Sequence, residues 1–375
     1  MDYWIINYII TIGLAVLLGV WIIPSILVIA YRCKLYDVAD ERKVHTGVVP
    51  RLGGISFLPS LGIAICLVVG FNLRFTDAAV GEVFSRAGVQ LLFLTSSLLI
   101  IYLLGIADDL VGVRYRAKFL FQIIAGILLV VSGLVINDLF GFLWIGMVPE
   151  WAGGLLTIFL VIYVLNAINL IDGIDGLASG LSIVGFAWYS WLFYNSGQYV
   201  ELMISGAALG TLIPFFFFNV FGKASKHTKI FMGDTGSLTI GLLLVYLTVS
   251  VADLPAYGGE HHRNVFVLAV APLIIPCFDV VRVFLHRVRK GRNPFLPDKG
   301  HIHHKLLALG MRQSTALIVI LLCDAVLIVS NLLLSSCMQP TWILLADIAI
   351  WTLINIGLTG GIRKRERRIG KKLYD

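Results

Sequence analysis

Five short segments of this 375-residue chain carry polar side chains in patterns that could act on phosphate. Asp108 and Asp109 are followed by Arg114, Arg116 and Lys118, which sets two carboxylates beside a group of cations. Neighbouring residues on a helix point about 100° apart, so the two carboxylates are expected to do different work. The run Asn166-Ala-Ile-Asn169-Leu-Ile-Asp172-Gly-Ile-Asp175-Gly176 spaces Asn166, Asn169 and Asp172 three apart, on one predicted helix stripe. It contains no positive charge, and carboxylates and carboxamides in that setting invite a cation. Gly173 and Gly176 then break the helix and let the backbone approach a ligand. The plainer reading of this run is polar bonding between helices. Phe231-Met-Gly-Asp234-Thr235-Gly-Ser237 is a glycine-rich turn that opens a helix and could offer N–H groups to a phosphate. Alone it is equally an N-cap turn with Asp234 or Thr235 as the cap.

The remaining two segments are basic. Asp298-Lys299-Gly300-His301-Ile302-His303-His304-Lys305, after the run Arg287–Arg292, supplies imidazole and ammonium donors for phosphoryl oxygens. Three histidines in four residues also suggest zinc, but no Cys or carboxylate ligand pattern accompanies them. Arg42-Lys43-Val44-His45, with Arg51 nearby, reads as a basic interfacial turn.

Composition dictates what must position these groups. Hydrophobic residues make up 58% of the chain and charged residues 14%, against about 25% charged in soluble domains. There are too few polar side chains to cover a water-soluble surface. Five cysteines, none in a C-x-x-C pair, exclude a disulfide scaffold and a zinc ribbon. The expected fold is therefore an all-α integral membrane protein, one polytopic domain over 1–375. A span needs about 20 apolar residues. Eleven segments qualify: 4–31, 52–72, 88–107, 117–136, 152–170, 177–195, 200–221, 236–252, 264–285, 314–336 and 341–360. The first has no basic n-region and no A-x-A site, so it is not a signal peptide. Residues 137–150 are too short to span and predict a hairpin or interfacial segment.

With residues 361–375 placed in the cytoplasm and the side alternated at each span, 26 of the 29 Lys and Arg fall inside; the exceptions are Arg74, Arg86 and Arg263. This is a positive-inside distribution, with the N-terminus outside and the C-terminus cytoplasmic. It accounts for the net charge of +7 without a nucleic-acid partner. All five clusters lie on the inner side, in 32–51, 108–117, 171–176, 222–235 and 286–313. A transporter would place its site near the midplane on repeated, broken helices. A one-sided face of carboxylates, cations and glycine turns instead matches phosphoryl transfer.

In order and spacing these segments resemble the polyprenyl-phosphate N-acetylhexosamine-1-phosphate transferases (glycosyltransferase family 4). The stretches carrying the likeness are ERKVHTGVVPRLGG (41–54), GIADDLVGVRYRAK (105–118), NAINLIDGIDGLASG (166–180), FMGDTGS (231–237) and PDKGHIHHKLL (297–307). HTGVVPRLGG, HIHH and Pro276-Cys-Phe-Asp279-Val-Val-Arg282 are similar to the branch that uses UDP-GlcNAc rather than UDP-MurNAc-pentapeptide. The resemblance implies transfer of GlcNAc-1-phosphate from the UDP-sugar to undecaprenyl phosphate, with release of UMP, at a bacterial cytoplasmic membrane. It implies Mg²⁺, with Mn²⁺ as the alternative ion, held by Asn169 and Asp234. Asp108 and Lys118 would serve the lipid phosphate, and Asp109 would support the metal site or the orientation of Asp108. Asp172, Asp175 and Phe231 would serve the nucleotide, and His301, His303 and His304 the diphosphate. Asn166, His45 and Arg51 would support them. The partners implied are the UDP-N-acetylhexosamine, undecaprenyl phosphate and the bilayer; a homodimer is compatible with the family.

Overall fold

The computed structural model describes residues 3–35, 48–75, 81, 83, 87–252, 264–291 and 300–374. Among the described residues there is no strand, and an isolated bridge pairs Asp138 with Met147. The helices are α1 (Tyr3–Arg32), α2 (Phe57–Phe75), α3 (Gly88–Val111), α4 (Tyr115–Val131), α5 (Glu150–Ile171), α6 (Leu177–Ser196), α7 (Tyr199–Val220) and α8 (Gly233–Ala252). They continue with α9 (Val265–Val270), α10 (Ile274–Arg289), α11 (Ile302–Ala308), α12 (Gln313–Ser335) and α13 (Pro340–Ile369).

Each of the eleven expected segments is helical. Ten are long and apolar enough to cross a bilayer, which makes this a multi-pass membrane protein. The segment expected at 117–136 is α4, whose 17 residues span about 26 Å, the lower limit for a crossing. Residues 137–148 form the expected short hairpin, with Val148 N–H bonded to Asn137 O and Leu139 N–H to Gly146 O.

The bundle is built around α8. Every residue from Thr235 to Val251 is buried, as a helix that is apolar all round requires. Glycine permits its neighbours' approach: a Cβ at Gly105 on α3 would meet the Thr235 backbone, and one at Gly241 would meet Leu165 on α5. Small residues let helix backbones come close where no solvent drives association. The turn Gly53–Ser56 before α2 also seats against the start of α8. Gly53 and Gly54 donate N–H to Phe231 O (2.9 Å) and Met232 O (2.8 Å).

One span is interrupted. Pro272 lies in a single 3₁₀ turn, Ala271–Leu273, between α9 and α10. Proline has no N–H and leaves the carbonyl four residues earlier without its helical donor. That carbonyl, Leu268 O, accepts from Trp188 Nε1 at 2.9 Å, and Ala269 O accepts from Tyr189 Oη at 2.9 Å. Beyond this break α10 carries Asp279 and Arg282 to the peptide at Gly300–Ile302.

Candidate active site

Four helix ends meet at the start of α8. Asp108 and Asp109 close α3, Lys118 opens α4, Asn169 ends α5, and Asp234 opens α8. Lys118 Nζ donates to Asp108 Oδ2 and, at 2.6 Å, to Asp234 Oδ2. It bridges carboxylates that stand 126 positions apart in sequence. Asp108 also accepts the Val113 N–H at 2.6 Å, which folds the α3–α4 turn back onto it. Asn169 Nδ2 donates to Asp234 Oδ1 at 3.0 Å and Ser237 Oγ at 2.9 Å. Its amide oxygen consequently faces away from Asp234.

Asp109 does different work, as its position one residue further round the helix requires. It accepts the N–H of Asp234 (2.7 Å), the N–H of Thr235 (2.9 Å) and Thr235 Oγ1 (2.6 Å). It is thus the N-cap of α8, supplied from another helix. The first N–H groups of a helix have no partner within it, and a carboxylate there also meets the positive end of the helix dipole. Gly233 has φ +72, and a side chain there would collide with the Asp109 carboxylate.

The expected stripe of Asn166, Asn169 and Asp172 divides. α5 ends at Ile171, and Asp172 follows with φ −72 and ψ 58, so it turns off the helix. Asn166 donates to Gln122 Oε1 (2.9 Å) and Ile162 O (2.7 Å). It ties α5 to α4 and does not join the carboxylates. Asp172 is exposed, with many protein atoms crowded round it. Loss of hydration, with repulsion from Asp175, Asp234 and Asp109, raises its pKa from 3.8 to about 7; Arg51 acts in the opposite direction.

Asp175 pairs with Lys229 at 2.6 Å, and the same ammonium stands 5.8 Å from the Phe231 ring centroid. Acid, cation and aromatic face thus form one corner of the site. Asn219 holds that corner together: its Oδ1 accepts Gly176 N–H at 2.6 Å and its Nδ2 donates to Ile230 O at 2.8 Å. Gly176, at φ +80, supplies the left-handed turn that points its N–H there.

The histidine segment packs against the same 172–176 turn and forms a further wall. Asp279, fully buried, accepts the Ile302 N–H at 3.1 Å and so caps α11. It also bonds Arg282 Nη2 (2.7 Å) and lies 2.9 Å from His301 Nδ1. His303 rests against the Gly173 backbone, where a Cβ would strike its ring. It is buried, and neither ring nitrogen has a protein partner. Burial, followed by the neighbouring His304, lowers its pKa to about 3, so it is a neutral imidazole. The His303 and His304 rings stand 4.2 Å apart. Lys305, lowered to about 8 by burial and Arg282, donates to Asn355 Oδ1 (2.9 Å) and Thr359 Oγ1 (3.1 Å) on α13. His45 lies outside the described residues; Arg51 is exposed beside the Pro50–Phe231 backbone bond (2.8 Å).

Sequence reasoning missed several of these groups. Nothing local distinguishes Lys229 from Lys223 and Lys226 in the same loop, or marks Asn219 at the end of its span. Asp279 belongs to the stretch 276–282, and a carboxylate inside the expected span 264–285 is itself the signal of a partner.

Among the described residues no three His, Cys, Asp or Glu side chains form a metal cluster. The nearest fit to an ion is all-oxygen: the Asp234 carboxylate, the Asn169 amide oxygen once that amide turns over from its bond to Asp234 and, once Lys118 shifts, Asp108. Such hard donors suit Mg²⁺, which keeps waters and substrate phosphates as its other ligands.

Residues 91–252, which hold the Asp108, Asn169 and Asp234 segments, match the model of glycosyl transferase family 4. An undecaprenyl-phosphate alpha-N-acetylglucosaminyl 1-phosphate transferase of Yersinia pestis is 31% identical over 323 residues, 85% of this chain and 82% of that protein. The chain belongs to glycosyl transferase family 4. Other members with comparable coverage include the enzyme of the same name from Escherichia coli K12 and a probable undecaprenyl-phosphate N-acetylglucosaminyl 1-phosphate transferase of Bacillus subtilis. Both are 30% identical over 320 residues, 84% of this chain and 81% of each relative. The family match covers the four helix ends that meet at the site, while the histidine wall lies beyond its limit at residue 252.

Proposed function

We propose that this family 4 member transfers GlcNAc-1-phosphate from UDP-GlcNAc to undecaprenyl phosphate, releasing UMP and forming undecaprenyl-diphospho-GlcNAc. The observation that carries this reading is the meeting of Lys118, Asp108, Asp234 and Asn169 at one helix end. The turn 172–176 that follows Asn169 carries both the Asp175–Lys229–Phe231 corner and the contact with the histidine wall. The relatives' names, which give undecaprenyl phosphate and N-acetylglucosaminyl 1-phosphate as acceptor and transferred group for those proteins, support it. A phosphate oxygen of the lipid attacks the β-phosphorus of the nucleotide sugar. The bond from that phosphorus to the bridging oxygen breaks, and UMP leaves. One phosphoanhydride replaces another, so no external energy source is needed.

Lys118, already between two carboxylates, would exchange one of them for the lipid phosphate, while Asp108 holds that phosphate deprotonated and aimed. Phe231 would stack on uracil with Lys229 and Asp175 at its edge. His303, neutral and without a protein partner, has an N–H to offer the diphosphate, a donor of the kind that strengthens next to an anion. Asp234 and Asn169 would hold Mg²⁺, whose charge would offset the negative charge of the two substrates. The Lys and Arg distribution supports a site facing the cytoplasm of a bacterial inner membrane, with the N-terminus outside.

The test is UMP release by purified protein with undecaprenyl phosphate, Mg²⁺ and, separately, UDP-GlcNAc, UDP-GalNAc and UDP-MurNAc-pentapeptide. The expected result is UMP from UDP-GlcNAc alone, abolished by EDTA and by Asp234→Ala. Release from a different nucleotide would overturn the sugar assignment. A phosphorylated enzyme trapped with nucleotide sugar alone would overturn direct attack.

A further inference from the structure

The histidine wall is held from behind by a segment outside the motifs. α13 ends at Ile369 and is capped by Gly370, whose φ of +72 reverses the chain and whose N–H bonds Glu366 O. The Glu366 side chain then gathers the next turn: its Oε1 accepts the N–H of Leu373 at 2.7 Å and of Tyr374 at 3.0 Å. This hook delivers Tyr374 to the peptide that precedes His301. Tyr374 Oη donates to Gly300 O at 2.8 Å, and Arg282 Nη2 donates to the same oxygen at 2.5 Å. The Tyr374 ring stands 5.7 Å from Lys305 Nζ, one turn along α11. Beside it, Arg365 Nη1 bonds Ala308 O at 2.9 Å. The basic stretch Arg363–Lys372 would serve as a topology anchor without any of these contacts.

We propose that Tyr374 is a positioning residue for the diphosphate wall: its hydroxyl and ring lock Gly300 and Lys305, and so fix where His301, His303 and His304 stand. This rests on the nucleotide reading above only for the identity of the ligand. A carbonyl oxygen accepts two bonds. Without Tyr374 the Gly300 oxygen retains Arg282 alone, and that guanidinium is shared with Asp279. The peptide before His301 then gains freedom to rotate, and the first turn of α11 loosens, while Lys305 and Arg365 still tie the rest of α11 to α13. The groups that would hold the lipid phosphate, Lys118 and Asp108, belong to α3 and α4 and share no bond with this hook.

The experiment uses the full chain with Tyr374→Ala and Tyr374→Phe. For Tyr374→Ala we expect KM for UDP-GlcNAc to rise about 10-fold, the effect of one lost hydrogen bond and one lost cation–ring contact. KM for undecaprenyl phosphate should stay within about 2-fold. Tyr374→Phe keeps the ring and should lose about 3-fold. Amide exchange of the substrate-free protein gives a second readout. Tyr374→Ala should speed exchange at 302–306 while leaving 234–237 unchanged. Unchanged kinetics with unchanged exchange at 302–306, or exchange that rises equally at 234–237, would overturn the proposal. The exchange measurement needs no nucleotide. If wild-type protein fails to release UMP from UDP-GlcNAc, the substrate reading falls and exchange alone still decides the role of Tyr374.

Discussion

The neighbouring aspartates at the end of α3 offer the sharpest test of the site's construction. Asp109 spends its carboxylate on three donors at the head of α8, whereas Asp108 faces Lys118 and one N–H. Replacing Asp109 with Ala strips the cap. Loss of a side-chain cap costs about 1–2 kcal/mol, and half-buried donors left without a partner add about 1–3 kcal/mol. Overlap between these contributions gives an expected loss of about 3 kcal/mol for Asp109→Ala. Because the cap also sets where Asp234 stands, the rate should fall by about 100-fold. Asp108→Asn removes a charge from the reacting face but leaves the helix capped. Its rate should fall by about 1000-fold with a melting temperature close to wild type. The assay is UMP release beside thermal unfolding in one detergent. If Asp109→Ala loses activity with an unchanged melting temperature, Asp109 acts on a ligand and the capping argument fails.

Three further outcomes follow from the geometry. Lys229→Ala should raise KM for the UDP-sugar about 10-fold with kcat nearly preserved, since it removes an ion pair and a cation–ring contact at the expected base pocket; a kcat loss alone would contradict that placement. His303, with its pKa lowered from 6.5 to about 3, stays neutral in the folded state, whereas the unfolded chain takes up a proton below pH 6.5. Its contribution to stability is complete above pH 6.5 and is lost as pH falls toward 3. His303→Gln should therefore flatten the acid side of a melting-temperature profile, and an unchanged slope would refute the burial. Gly54→Ala forces a methyl group against the Gly236 backbone. It should cost about 1–3 kcal/mol by overpacking, read as a lower melting temperature with Gly62→Ala, which meets nothing, as the control.

Much of this protein is legible from order and composition alone. Eleven apolar segments, their basic flanks and the polar clusters at their ends follow from local properties, because a span is defined by its own residues and the cost of placing charge in lipid. Local periodicity also paired Asn166 with Asp172, and there it failed. The helix stops at Ile171, so Asp172 turns away, while Asn166 serves the α4–α5 contact. Only the tertiary structure decided which polar groups share a partner. Lys118 meets Asp234 across 116 positions, Asp109 caps a helix 125 positions downstream, and Lys229 reaches Asp175 across 54. Such pairs are set by which helix ends meet at the head of α8, and that depends on glycines whose missing side chains carry no polar signal. Asp279 and Tyr374 illustrate the same limit. Each finds its role only when the break at Pro272 and the turn at Gly370 bring α10 and the end of α13 to the peptide before His301.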